Sequence, residues 1–318
     1  MHESTDTAPL RSDGTLVLGL QLALGTVGLI GTGTAVVTAA TAVHREQRAA
    51  HDVVVLGGHF SYPAVNVGAV VLLALAALGV AVIGVALHAV CRQLLASRRL
   101  IRELPVVGPL PGDPSVLVFA GSAPDAFCAG HVRPRVYVSA GAVELLLPSE
   151  LAAVLSHERD HRRGRDPLRL ACARVLGHAL FFLPALRPLG ARYSELAEQR
   201  ADEAAVAAAG GTRAPLASAL LAFDAGHPDG LAGISPERVD WLLGIGRRPR
   251  LPIGLVAVSL ALLTLLLVAV WRASAVASAH STFDVPLLSS QPCILVLALM
   301  PVAACLASLG GRRLRRGS

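Results

Sequence analysis

The chain has 318 residues, 53% of them hydrophobic and 16% charged, with a formal net charge of +6. Soluble domains carry about 25% charged residues, so the depletion excludes an ordinary water-soluble globule and points to long uncharged runs that cross a bilayer. The arginines sit beside those apolar runs, which makes them topology signals and argues against direct nucleic-acid binding.

Residues 1–14 are polar and slightly acidic and are expected as a short disordered tail. Their acidity, and the length of the apolar run behind them, favour an uncleaved span over a cleaved signal peptide. Thr15 to Val43 carries no charge and is long enough to span a membrane. Gly25, Gly28, Gly31 and Gly33 allow close helix packing there, or simply make a glycine-rich span. His44 to Tyr62 reads as a short polar connection, and Val65 to Val90 as the second span. Arg92, Arg98, Arg99 and Arg102 follow it and mark the cytoplasmic side, which puts the N-terminus inside and residues 44–62 outside.

Residues 103–147 change character. Pro105, Pro109, Pro111 and Pro114 suggest a linker. Ser115 to Phe119 and Arg135 to Ser139 read as strands, with a turn-like segment at Asp125 to Gly130 between them. Such a small sheet either packs on the next helix or offers an edge to an extended peptide. Pro148-Ser149-Glu150 opens that helix, with Ser149 as N-cap, Leu151, Val154 and Leu155 on its apolar side and Gly164 as its stop.

Leu168 to Leu189 is apolar but interrupted by Arg169, Arg174, His178 and Pro184. It is expected as a buried or membrane-dipping helix and not a full span, because a crossing would split a metal site between the two faces of the bilayer. Tyr193 to Ala209 is an alanine-rich helix ended by Gly210-Gly211, and residues 214–225 and 235–244 are further helices. Arg247, Arg248 and Arg250 precede a third span, Pro252 to Trp271, and a fourth runs from Pro292 to Leu309 before Arg312, Arg313, Arg315 and Arg316. Under this four-span reading every arginine cluster falls on one side. The cysteines Cys91, Cys128, Cys172, Cys293 and Cys305 lack C-x-x-C spacing and are expected as buried apolar side chains.

The chemistry centres on His157-Glu158-Arg159-Asp160-His161, an H-E-x-x-H string. On a helix, residues i and i+4 share a face, so both imidazoles can reach one metal ion, while Glu158 can take a proton from a metal-activated water as general base and return it to the leaving amine. Glu198 and Asp202 sit one turn apart on a later helix. Glu198 would complete a His₂Glu zinc set and Asp202 could fix the tautomer of a ligand histidine; the alternative is a solvated charged face shared with Glu195, Arg200 and Glu203. Tyr193 and His227 are candidate donors to the oxyanion.

The run Pro148 to Asp166, with His157, Glu158, His161 and the trailing Arg162-Arg163-Gly164-Arg165-Asp166, resembles the BlaR/MecR-type membrane zinc peptidases. Ala126-Phe127-Cys128-Ala129-Gly130, the helix Glu150 to His161 and Glu198-x-x-Ala201-Asp202 resemble the related CAAX-prenyl-protease and HtpX group. The resemblance implies Zn2+, a cytoplasmic active site and endopeptidase activity. It suggests cleavage of a cytoplasmic winged-helix repressor, or membrane-protein quality control, with a non-catalytic sensor or scaffold as the rival. The chain stops soon after its fourth expected span, so a penicillin-binding sensor domain is not expected.

The expectation is therefore a mainly α membrane protein: four transmembrane helices and a cytoplasmic α+β zincin-like peptidase domain carrying a small β-sheet. Residues 1–92 are the tail and first hairpin of spans, 93–251 the peptidase domain, and 252–318 the second hairpin and basic tail. The composition suggests a bacterial plasma membrane, with active site and both termini in the cytoplasm, the lipid bilayer and a protein substrate as partners.

Overall fold

The computed structural model describes residues 8–42, 50–55, 58–63, 67–226 and 251–280. In chain order the elements are α1 (Ala8–Ala42), β1 (Ala50–Val55), β2 (Gly58–Pro63), α2 (Val67–Glu103), β3 (Val106–Leu110), β4 (Asp113–Phe119), β5 (Ala126–Ala129) and β6 (Arg135–Ser139). There follow α3 (Ala140–Leu145), α4 (Pro148–Gly164), α5 (Asp166–Ala179), α6 (Leu186–Ala208), α7 (Ala214–Gly226) and α8 (Ile253–His280). The described residues fall into two compact units.

Among the described residues, three helices are long and apolar enough to cross a membrane, over Asp13–Thr41, Val70–Glu103 and Ile253–Ala275. The fourth expected span, Pro292 to Leu309, lies outside the described residues, as does the expected helix at 235–244. One unit takes in 23–42 of α1, 67–89 of α2, the β1–β2 hairpin, residues 178–184 and α8 from 254. Its helices meet closely at Gly79, where an added Cβ would lie 2.5 Å from the Thr32 carbonyl oxygen and 2.6 Å from Val36. Ala39, Leu72 and Ala273 form one buried cluster there, and Ala35, Leu266 and Val270 another.

The other unit takes in residues 8–22, 90–177, 185–226 and 251–253. Its four-stranded sheet has the order β3-β4-β6-β5. β4 and β6 run parallel, with Val116 opposite Val136 and Val118 opposite Val138; β3 and β5 flank them antiparallel. Val116, Val136 and Val138 form a core with Val154 and Leu155 of α4 and Ala219 of α7. Each such fully buried side chain contributes roughly 1.5–3 kcal/mol. α4 and α6 pack through small side chains: Ala153 clusters with Ala205 and with Leu216 of α7, and the Ser156 hydroxyl donates to the Ala204 carbonyl at 3.3 Å. That close approach brings the two motif-bearing helices together.

The structure departs from the sequence reading at several places. α1 starts at Ala8, so residues 8–14 are helical and not tail; Pro9 suits a first turn, where its missing N–H costs nothing. The polar connection before α2 holds a hairpin that pairs Val53 with Phe60. The proline-rich linker contains β3, an edge strand with an irregular register that tolerates Pro109. The turn-like segment at 126–129 is a strand, β5. Gly130 ends it with φ +105, where a Cβ would meet the Arg133 carbonyl oxygen at 2.9 Å. α4 begins two residues earlier than a Ser149 cap implies: Pro148 is its first residue, Leu147 occupies the cap, and the Glu150 carboxylate accepts the Leu147 N–H at 2.9 Å. Residues 168–189 are not one helix, because the chain turns between Ala179 and Leu186 around Pro184.

Candidate metal centre

His157, Glu158 and His161 are all buried on one face of α4. The two imidazoles stand edge to face, ring centroids 4.7 Å apart, and their Nε2 atoms are 3.1 Å from each other. Glu198, from α6, places Oε2 3.5 Å from Nε2 of His157 and Oε1 3.5 Å from Nε2 of His161. These three side chains form the His/His/carboxylate group able to hold a metal ion among the described residues.

The remaining ring nitrogens face carboxylates. Nδ1 of His161 lies 2.8 Å from Oδ2 of Asp166, and Nδ1 of His157 lies 2.9 Å from Oδ1 of Asp202. The second contact is out of line with the ring N–H, so that pair is more an electrostatic contact than an aligned hydrogen bond. A proton on each Nδ1 leaves both Nε2 lone pairs aimed at the same point, an arrangement that repels unless a positive charge sits between them. His157 records the same demand. Burial resists its charging, but Asp202, Glu198 and Glu158 together outweigh burial and raise its pKa to about 10.

These donors fit zinc. Bonds of about 2.0–2.1 Å at tetrahedral angles place ligand atoms about 3.3–3.5 Å apart; the observed separations are 3.1, 3.5 and 3.5 Å. The histidine side chains are 7% and 11% exposed and that of Glu198 39%, so the trio is sealed on the histidine side and open on the Glu198 side. A cavity of about 710 Å³ lies there, lined by Glu158, by β5 from end to end, and by Leu216, Leu220 and Phe223 of α7.

Asp166 is the residue whose place in the site the sequence reading did not assign. It opens α5, directly after Arg165 reverses the chain with φ 52. Besides His161 it accepts from the Tyr193 hydroxyl at 2.9 Å and from Nη2 of Arg200 at 2.5 Å. Burial pushes its carboxyl upward, but His161, Arg200 and Tyr193 win and hold it below the usual carboxylate range. Arg200 also donates from Nε to Asp160 at 2.6 Å, tying α4, α5 and α6 together. Tyr193 is 1% exposed and committed to Asp166, so it supports the second carboxylate and is not a donor into the cavity. His227, the other oxyanion candidate, lies outside the described residues.

Asp202 is fully buried, which removes the alternative of a solvated charged face at that position. Cys128 is half-buried on β5, its thiol pushed up to about 12 chiefly by burial; Cys91 and Cys172 are exposed, against expectation. Cys293 and Cys305 lie outside the described residues.

Residues 96–223 match the model of peptidase family M48. The chain is 34% identical over 86 residues to "Protease HtpX homolog 2" of Methanosarcina mazei, covering 26% of this chain and 29% of that protein. It is 33% identical over 97 residues to "Protease HtpX homolog" of Syntrophobacter fumaroxidans, covering 30% and 34%. The chain thus spans about a third of the length of the curated relatives it matches. No solved structure matches it significantly. Sequence match and site agree: the segment 96–223, which carries the two histidines and Glu198, is similar to the M48 peptidases and to HtpX-type proteases.

Proposed function

We propose that the chain is an integral-membrane zinc endopeptidase in which His157, His161 and Glu198 hold the metal and Glu158 is the general base. The observation that carries this reading is the convergence of the two Nε2 atoms, 3.1 Å apart, on the Glu198 carboxylate, whose Oε2 and Oε1 lie 3.5 Å from His157 and His161 respectively, with a carboxylate behind each imidazole. When bound, zinc supplies Lewis acidity, acidifying water and polarising a carbonyl. Asp166 and Asp202 orient the two imidazoles. Glu158, buried at the cavity wall, accepts a proton on its carboxylate and passes it to the departing amine. β5 is an edge strand along the cavity, so a substrate peptide can add to it as a further strand, with its side chains alternating toward and away from α7.

The wider frame is part of the proposal: four spans, the peptidase domain over residues 93–251, and the active site and both termini in the cytoplasm of a bacterial cell. The arginine clusters support this orientation. Of the two roles, an HtpX-like one fits equally well, since the relatives are named HtpX-type proteases. Cleavage of a winged-helix repressor rests on the likeness to the BlaR/MecR type, and a repressor gene beside this one would favour it. The intact Glu158 argues against a non-catalytic scaffold.

Glu158→Gln tests the mechanism. Purified protein should keep one zinc per chain by elemental analysis while cleavage of an unfolded protein substrate falls at least 10²-fold. Cleavage at the wild-type rate would sink the role of Glu158; absence of stoichiometric zinc from wild type would sink the metal centre.

A further inference from the structure

Beyond the metal, the cavity has a second polar end. Of its acidic lining residues, Glu158, Asp166 and Glu198 stand with the histidine pair and Asp125 precedes β5, at the end away from Gly130. Arg174, the one arginine among the described lining residues, is on α5, with His131 just past Gly130 at the end of β5. Arg174 and His131 share one field: burial lowers the His131 pKa and the charge of Arg174 lowers it further, which favours the neutral imidazole and leaves Arg174 as the charge of this end. Asp166, Leu170 and Arg174 recur at i, i+4 and i+8, so one face of α5 leads from the carboxylate behind His161 to the arginine.

We propose that Arg174 and His131 form a subsite for a carboxylate of the substrate peptide, set three to four residues from the bond to be cleaved. The spacing follows from the fold. Eight residues of helix at 1.5 Å each place Arg174 about 12 Å along α5 from Asp166. An extended peptide covers about 3.3 Å per residue, so 12 Å corresponds to between three and four. β5 runs along the same cavity and ends at Gly130, which delivers a strand-paired peptide to His131 as its register runs out. A guanidinium offers a planar pair of N–H donors to a carboxylate, and the acidic metal end repels the same group, which fixes the register of the bound peptide.

This inference rests on the cavity being a peptide site, so the test reads binding separately from cleavage. Fluorescein-labelled twelve-residue peptides of neutral sequence, each with one Asp moved through successive positions, are titrated onto full-length zinc-loaded Glu158→Gln protein by anisotropy. Each has an Asn counterpart, and each is made with a free and with an amidated C-terminus. Because Arg174 is exposed, screening by water limits the gain; the expected preference is roughly three- to tenfold for Asp over Asn at one position. Arg174→Gln should erase the preference and Arg174→Lys restore part of it, with the Asn peptide as reference within each variant. Wild-type protein then locates the cut, expected three to four residues from that Asp. Peptides bound with no Asp preference, or a preference that survives Arg174→Gln, overturn the subsite and leave the peptidase reading standing. A preference for the free acid over the amide alone assigns the subsite to the chain terminus and overturns side-chain selection. No binding and no cleavage of any peptide overturns both readings.

Discussion

Asp166 offers the sharpest test of how the metal centre is held. Asp166→Asn keeps the shape and removes the charge. The carboxylate is 1% exposed and takes three donors: His161 at 2.8 Å, Tyr193 at 2.9 Å and Arg200 at 2.5 Å. An amide offers one acceptor oxygen, so at least one donor is left with a poor partner. Breaking a buried charge pair costs about 3–5 kcal/mol. Asp160 still pairs with Arg200 and the Asn oxygen keeps one bond, so the expected loss is nearer 2–3 kcal/mol in metal-free protein. The loss of orientation and basicity at His161 should weaken zinc about 10–100-fold.

Thermal unfolding in detergent measures the first quantity, run with chelator so that bound metal does not add its own stabilisation. Competition against a chromogenic zinc chelator measures the second. The pH dependence separates charge from shape. The folded pKa of Asp166 is held below its unfolded value of about 3.9. Its contribution is therefore full above pH 4 and is lost as pH falls through the folded value. Wild type should lose this increment on acidification and the Asn variant should lack it. Zinc affinity within threefold of wild type, together with an unchanged acid limb, would refute the placement of Asp166 behind His161.

Three further outcomes follow from the same packing. Gly164→Ala would place a Cβ 2.7 Å from Nη2 of Arg200, an end pinned between Asp160 and Asp166, so the helix end must shift; about 1–3 kcal/mol of stability should be lost, read as a lowered unfolding temperature. Gln21 is fully buried and donates to the carbonyls of Ala173 (3.0 Å) and Leu186 (2.9 Å), so Gln21→Leu should cost about 1 kcal/mol in denaturant unfolding. Arg159→Ala, which removes a partly exposed ion pair with Asp113, should change stability by less than about 1 kcal/mol although it adjoins Glu158.

Local patterns in the chain carried the part of the site that one helix builds. His157, Glu158 and His161 share a turn and a half of α4, and the 3.6-residue period alone puts them on one face. Glu198 and Asp202 were legible for the same reason on α6. Asp166 was not. It is five residues from His161, a spacing that predicts no contact along a straight helix, and it reaches the ring only because Arg165 turns the chain back at positive φ. Tyr193 was legible only as a candidate, because a hydroxyl's partner depends on packing between α5 and α6, 27 residues apart in sequence. β5 escaped notice because four residues, Ala-Phe-Cys-Ala, give no period to read; the strand exists through its ladder to β6.

The burial of the three ligand candidates also explains why the site has a direction. Both histidines come from one helix and have a carboxylate behind them, so their free nitrogens converge and their backs are closed. Glu198 comes from a different helix and is the more exposed partner. A structural zinc site closes all four positions, whereas a catalytic one keeps a position open. With two ligands sealed and the third bordering a cavity of about 710 Å³, the open side is the side where β5 presents its edge. The proposed metal ligands, Glu158 and the β5 edge meet in one cavity because α4 packs at once against α6, which brings Glu198, and against the sheet, which brings β5. The proposed peptidase needs both packings: α4 with α6 for the candidate metal centre, and α4 with β5 for the candidate peptide groove.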